Sequence, residues 1–178
     1  MKHYNYQETL HRLWTKAVEQ YEAGQRGSDT YFTSEETAWL AANGITPQEI
    51  YDFAEDFVSG GEPDFATFVM ITDVRRGYFL DKLDGKSSGN HKDPTTYPAK
   101  DAEADGIRWL PRIIEKAKAK LHGELGLDTM YGCGGDRNFC KTHDIHLSEF
   151  LRKVAENEHD DRAVIDWVKA RSAEAAQA

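Results

Sequence analysis

Two complete helix-start signals stand close together early in this chain, and they constrain its fold more than any other feature. Thr33-Ser34-Glu35-Glu36 and Thr46-Pro47-Gln48-Glu49 both have the form of a capping box, in which a threonine hydroxyl and a glutamate three residues on satisfy the free amides of a helix N-terminus. The second box also places Pro47 at the first helical position, where its missing N–H costs nothing. A helix through Trp39 and Leu40 ending at Gly44 is therefore predicted, followed by one from Pro47 to about Val58 that breaks at Gly60-Gly61.

The flanking segments follow the same logic. From Tyr6 to Ala23, apolar residues fall at Leu10, Leu13, Trp14, Ala17, Val18 and Tyr21, the one-face spacing of an amphipathic helix that Gly24 would stop. Asp64 is a cap for a long helix carrying Phe65, Phe68, Val69, Thr72, Arg76 and Phe79 to about Leu83. Beyond an aperiodic loop, Asp84 to Gly106, come helices from Pro111 to His122, from Asp136 as N-cap to Thr142, from Leu147 to Glu156 and from Asp161 to Arg171. No segment has the two-residue alternation of a strand. The expected fold is all-α with about seven or eight helices in a single domain.

Sliding the chain by 100 positions aligns Leu10 with Leu110, Arg12 with Arg112, Lys16 with Lys116, Ala17 with Ala117, Tyr31 with Tyr131, Ile45 with Ile145 and Glu49 with Glu149. The reading is an internal repeat, residues 5–83 and 107–171, joined by the loop 84–106. Such halves would pack about a pseudo-twofold axis with a cleft between them, and the long loop would serve as lid, binding loop or linker. Chance matching of two amphipathic segments is the competing account.

Charge and cysteine content bound the function. With 22 Lys+Arg against 31 Asp+Glu the net charge is −9, a poor match for a phosphate backbone or an anionic membrane. Neither a nucleic-acid nor a membrane partner is expected, and no apolar run approaches a bilayer span. Two cysteines seven residues apart are no disulfide framework, so a reducing, cytoplasmic setting is expected. From Gly27 to Val74 there is no Lys or Arg at all, which also suits pairing between subunits, as in a homodimer.

Three constellations can carry chemistry. The run Tyr131-Gly132-Cys133-Gly134-Gly135-Asp136-Arg137 sets glycines, a thiol and an arginine before a helix. The amides of Gly134 and Gly135 and the Arg137 guanidinium would hold a phosphate or carboxylate, with Cys133 as nucleophile and Asp136 beside it. The plainer account is a tight turn with Asp136 capping the helix. In Asp73-Val74-Arg75-Arg76-Gly77-Tyr78, Arg75, Arg76 and Tyr78 are substrate-binding candidates, although an internal carboxylate between Asp29 and Asp64 is the simpler partner for an arginine turned toward a core. Gly77 inside that helix hints at close packing or a bend. Third, Cys133, Cys140, His143 and His146 are the right ligand types for zinc, in a spacing that matches no familiar zinc motif. No cofactor is required. The four tryptophans read as packing residues.

The segment Trp109-Leu110-Pro111-Arg112, with Lys116-Ala117-Lys118-Ala119-Lys120-Leu121, Gly123 and Leu125-Gly126, resembles a bacterial family known as a domain of unknown function. Cys133, Asp136-Arg137-Asn138-Phe139, Ile145, Glu149-Phe150-Leu151 and Trp167-Val168 extend the likeness through most of the C-terminal half. Where Cys140 stands, that pattern has an aromatic or aliphatic residue. The resemblance implies a helical fold and singles out the region of Cys133; it implies no activity. The sequence thus points to a protein holding a small anionic metabolite between helical halves, plausibly as an enzyme. A helical interaction module and a zinc-binding protein are the alternatives.

Overall fold

Both capping boxes form. Thr33 opens α2 (Ser34–Ala41) and Thr46 opens α3 (Pro47–Gly60); in each the hydroxyl accepts from the glutamate amide three residues on and the glutamate reaches back to the threonine N–H. A computed structural model describes residues 3–177. The chain is essentially all-α, with eight α-helices among the described residues. It divides into two compact units, Met1–Lys86 and Ser87–Ala178.

The first unit holds α1 (Tyr6–Glu22), α2, α3 and α4 (Phe65–Asp81). Asp64 caps α4 as its position predicted, accepting from the Thr67 amide. Leu10, Leu13, Ala17, Leu40, Ile50, Phe53, Phe68 and Ile71 form the core. Each leucine, isoleucine and phenylalanine among them contributes roughly 1.5–3 kcal/mol through removal of apolar surface from water. Gly44 has φ +71°, and a Cβ there would meet the Phe79 ring at 2.6 Å, so the turn after α2 needs its glycine. Gly77 is different. A Cβ on it would meet nothing within 4 Å, so close packing does not explain this glycine.

The second unit holds α5 (Leu110–His122), α6 (Gly134–Thr142), α7 (Leu147–Glu156) and α8 (Asp161–Ala175). Its core gathers Leu110, Ile113, Ala117, Leu121, Phe139, Phe150, Leu151, Val154, Val164 and Val168. The unit also corrects the expectation that no strand exists: β1 (Glu103–Ala104) and β2 (Ile107–Arg108) pair antiparallel. Asp105 and Gly106 both take positive φ at the turn, the Asp-Gly pattern of a tight hairpin. Asp105 is then bridged to Arg162 at 2.8 Å and Lys169 at 2.7 Å, which tie the hairpin to α8.

The segment read as a lid is bonded into the second unit along its length. Ser88 N–H donates to His122 O, Lys92 N–H to Glu124 O, and Arg112 donates to Pro98 O at 2.7 Å over a buried Tyr97.

Element bounds in the two units fall in register. Helices α2 and α6 begin at 34 and 134, α3 and α7 at 47 and 147, and α1 and α5 end at 22 and 122. Helix α7 has 10 residues against 14 in α3, and the caps of α8 and α4, Asp160 and Asp64, come 96 apart in consequence.

Candidate functional site

The arginine candidates of the first unit are turned inward. Arg75 is 1% exposed, its guanidinium 5.1 Å from the centre of the Phe79 ring. Burial pushes it below its ordinary value, against the pull of the Glu49 carboxylate. Arg76 donates through Nε to Asn43 Oδ1 at 2.7 Å, lies over the Tyr6 ring at 4.3 Å and meets His3 Nδ1 at 2.9 Å. Tyr78 is buried alongside, and Asp73 accepts from the Tyr6 hydroxyl at 2.6 Å. These side chains are turned to the interior of their own unit; the groups around Arg76 are an amide, an imidazole and an aromatic ring, not the carboxylate between Asp29 and Asp64 that the simpler account expected.

The glycine-rich run lies in the second unit and is built differently from its expected form. Helix α6 starts at Gly134, so Cys133 is the N-cap and Asp136 stands within the first turn. Asp136 is fully buried, and its carboxylate accepts from Lys116 Nζ at 2.5 Å, Gly132 N–H at 2.8 Å and Trp109 Nε1 at 2.9 Å. A carboxylate so placed also meets the positive end of the helix dipole. Its partners are what allow a charge in the interior. Asp136 therefore organises the turn and does not cap the helix.

Three neighbours share that arrangement. Lys116, 3% exposed on α5, donates also to Cys133 Sγ at 3.2 Å, and Cys133 itself is half-buried. Trp109 is held at φ +71°, a strained backbone for a bulky residue, between β2 and α5. Its indole lies on α6: a Cβ on Gly135 would come within 2.3 Å of Trp109 Cζ2. Gly135 is thus required to seat the tryptophan. Arg137 folds back, donating to Gly132 O at 2.8 Å and passing 3.8 Å from where a Gly134 Cβ would stand.

Sequence reasoning passed over Lys116 and read Trp109 as packing alone. One signal was available: Lys116 and Lys120 stand on the face that Ile113 and Ala117 bury, and both lysines are buried. A lysine on an apolar helical face needs a carboxylate partner.

The zinc set is not gathered. Among the described residues no three His, Cys, Asp or Glu side chains are grouped to hold a metal ion. Cys140 is in the core, where burial pushes its thiol well up; His143 Nδ1 bonds Ser172 Oγ; and His146 is the N-cap of α7, accepting from Ser148 N–H. The ligand types are right and the side chains serve separate local tasks.

Next to the Asp136 arrangement lies a cavity of about 640 Å³, lined in part by Ile107, Trp109, Gly135 and Phe139. Its polar lining residues are Lys100, Arg108, Asn138, Thr142 and His143. Lys100 and Arg108 are exposed and form no ion pair with any described residue. The lining therefore joins two cationic side chains with the rings of Trp109 and Phe139.

Residues 96–178 match a family described as a domain of unknown function (DUF5069). That span contains every residue of the cavity and of the Asp136 arrangement. No curated protein and no solved structure matches the chain. Among the described residues no helix is long and apolar enough to cross a membrane.

Proposed function

With residues 96–178 assigned to a family whose description carries no activity, we propose that this chain binds a small anionic molecule, a carboxylate or a phosphate, in its second unit. The observation that carries the reading is the pair Lys100 and Arg108 in the lining of a cavity that also carries Trp109 and Phe139. Charge distribution supports it. Residues 1–86 hold 8 Lys+Arg against 15 Asp+Glu, and residues 87–178 hold 14 against 16, so the second unit repels an anion far less. The test is titration of the untagged protein with acetate and with inorganic phosphate at low ionic strength, followed by calorimetry. Replacing both Lys100 and Arg108 by alanine should weaken binding roughly tenfold or more with circular dichroism unchanged. Equal affinity in the double variant would sink the reading.

A second reading rests on Cys133. A half-buried thiol 3.2 Å from a buried ammonium, at the cap of α6, supports a nucleophile and with it an enzymatic role. Two free cysteines suit a reducing compartment, and the cytoplasm is the proposed location. We also read the two units as copies of one helical unit. The register of element bounds supports this, as does the ion pair Lys16–Glu36 at 2.6 Å in the first unit, at the positions matching Lys116–Asp136 in the second.

A further inference from the structure

The acceptor side of the same cavity restricts which anion fits. Ser172 on α8 places its Oγ 2.7 Å from Val168 O, one helical turn back, and a hydroxyl has a single proton to give. That proton goes to the Val168 carbonyl. The 2.7 Å contact between Ser172 Oγ and His143 Nδ1 must then be made by the imidazole, with Nδ1–H donating to a serine lone pair. A neutral imidazole with its proton on Nδ1 has a bare lone pair at Nε2. Burial, which pushes His143 below its ordinary value, favours that neutral form. The ring is held in place by Phe139, 4.6 Å away between centroids, and its Nε2 bonds no described residue.

Thr142 repeats the pattern on a smaller scale. Its hydroxyl donates to Asn138 O at 2.8 Å, so what remains of that oxygen is acceptor. Lys100, Arg108, Thr142 and His143 all line the cavity, and this set combines two cations with two acceptors that have no proton left to give, His143 Nε2 and Thr142 Oγ. An oxyanion with every oxygen ionised satisfies the cations and sets lone pair against lone pair at the acceptors. One that keeps an O–H satisfies both.

We propose that the cavity selects a protonated oxyanion, hydrogen phosphate being the type, with His143 Nε2 accepting the ligand O–H while Lys100 and Arg108 meet its charge. The proposal rests on the anion-binding reading above and specifies its ligand class. Inorganic phosphate and sulfate separate the two claims, because they are alike in size and shape and only phosphate keeps a proton near neutral pH.

The experiment has two arms on the full chain. In the first, calorimetry compares phosphate with sulfate at pH 7.5 for wild type, His143→Phe and Ser172→Ala. Phosphate should bind roughly tenfold more tightly than sulfate, the worth of one hydrogen bond to a charged ligand. His143→Phe should erase that preference, weakening phosphate by the lost hydrogen bond and relieving sulfate of the opposed lone pair, and Ser172→Ala should reduce it. Equal binding of both ions by wild type would overturn the selectivity and leave the anion site standing; binding of neither ion would overturn both. In the second arm, nitrogen NMR of histidine-labelled wild type reads the tautomer directly. A proton on Nδ1 of His143 is expected, and a proton on Nε2 would overturn the assignment even if His143→Phe failed to fold.

Discussion

Cys133 and Cys140 sit at opposite ends of one short helix, and their surroundings give the two thiols opposite fates. Cys140 is 3% exposed and faces the core, where burial and the nearby Asp136 and Glu149 carboxylates push its thiol well up and leave it protonated. Cys133 is half-buried at the N-cap, beside the Lys116 ammonium. Iodoacetamide at neutral pH should therefore label Cys133 in the native protein at least about tenfold faster than Cys140, with both labelled equally in denaturant. Mass spectrometry of the tryptic peptides reads this site by site. Comparable native rates at the two positions would remove the basis for a nucleophilic role. The residue that decides the contrast is Lys116, since it reaches both Asp136 and the Cys133 sulfur.

At the level of helices, the matching ion pairs of the two units make a controlled comparison. Lys16 and Lys116 stand at corresponding places on α1 and α5 and bond acids at corresponding places on α2 and α6. The first pair is partly open to water: Glu36 also meets Arg12 and closes its own capping box. The second is sealed, with Lys116 and Asp136 at 3% and 0% exposure. Breaking a buried pair leaves an uncompensated charge, whereas a solvated one is partly replaced by water. Lys116→Ala should cost about 3–5 kcal/mol in urea unfolding and Lys16→Ala about 1 kcal/mol or less; similar losses would show that the second pair is not the keystone of its unit. The same comparison explains what was legible in the sequence. Helix starts at Thr33, Thr46 and Asp64 depend on residues three apart and could be read directly. Asp136 was misplaced as a cap because its fate depends on Lys116 and Trp109, twenty and twenty-seven residues earlier, and only folding brings those groups to it. The hairpin at Asp105-Gly106 was missed for a related reason. Two-residue strands have no alternation to detect, and their anchors, Arg162 and Lys169, come from a distant helix.

Over the whole molecule, the net charge of −9 is concentrated in the first unit, and one carboxyl there links stability to pH. Asp52 on α3 is pushed up to about 7 by burial, and Glu49, Glu55 and Asp56 push in the same direction; the amide of Gln48, 2.6 Å away, only partly offsets them. Gln48 cannot turn to do more, because its oxygen already accepts from Ser28 Oγ at 2.7 Å. A carboxyl raised above its unfolded value binds its proton more tightly in the folded state. Its contribution to stability is therefore fully present below the unfolded value near 4 and is lost as pH rises through about 7. The paired carboxylates run the other way: Lys16 and Arg12 hold Glu36 at about 2 despite its burial, so its contribution is present above the ordinary carboxylate range and fails only in strong acid. The two trends overlap in the wild-type profile, and a substitution at Asp52 separates them. Asp52→Asn keeps the acceptor for Gln48 and removes the charge. At pH 8 it should raise stability by roughly 2 kcal/mol, and the gain should shrink to about 0.4 kcal/mol or less by pH 4, where the wild-type side chain is neutral in the folded chain and about half protonated in the unfolded one. Urea unfolding of the two proteins across pH 4 to 8 measures the difference directly. A gain that stayed constant over that range would mean that shape or helix propensity, and not the ionisation of a buried carboxyl, sets the cost of Asp52.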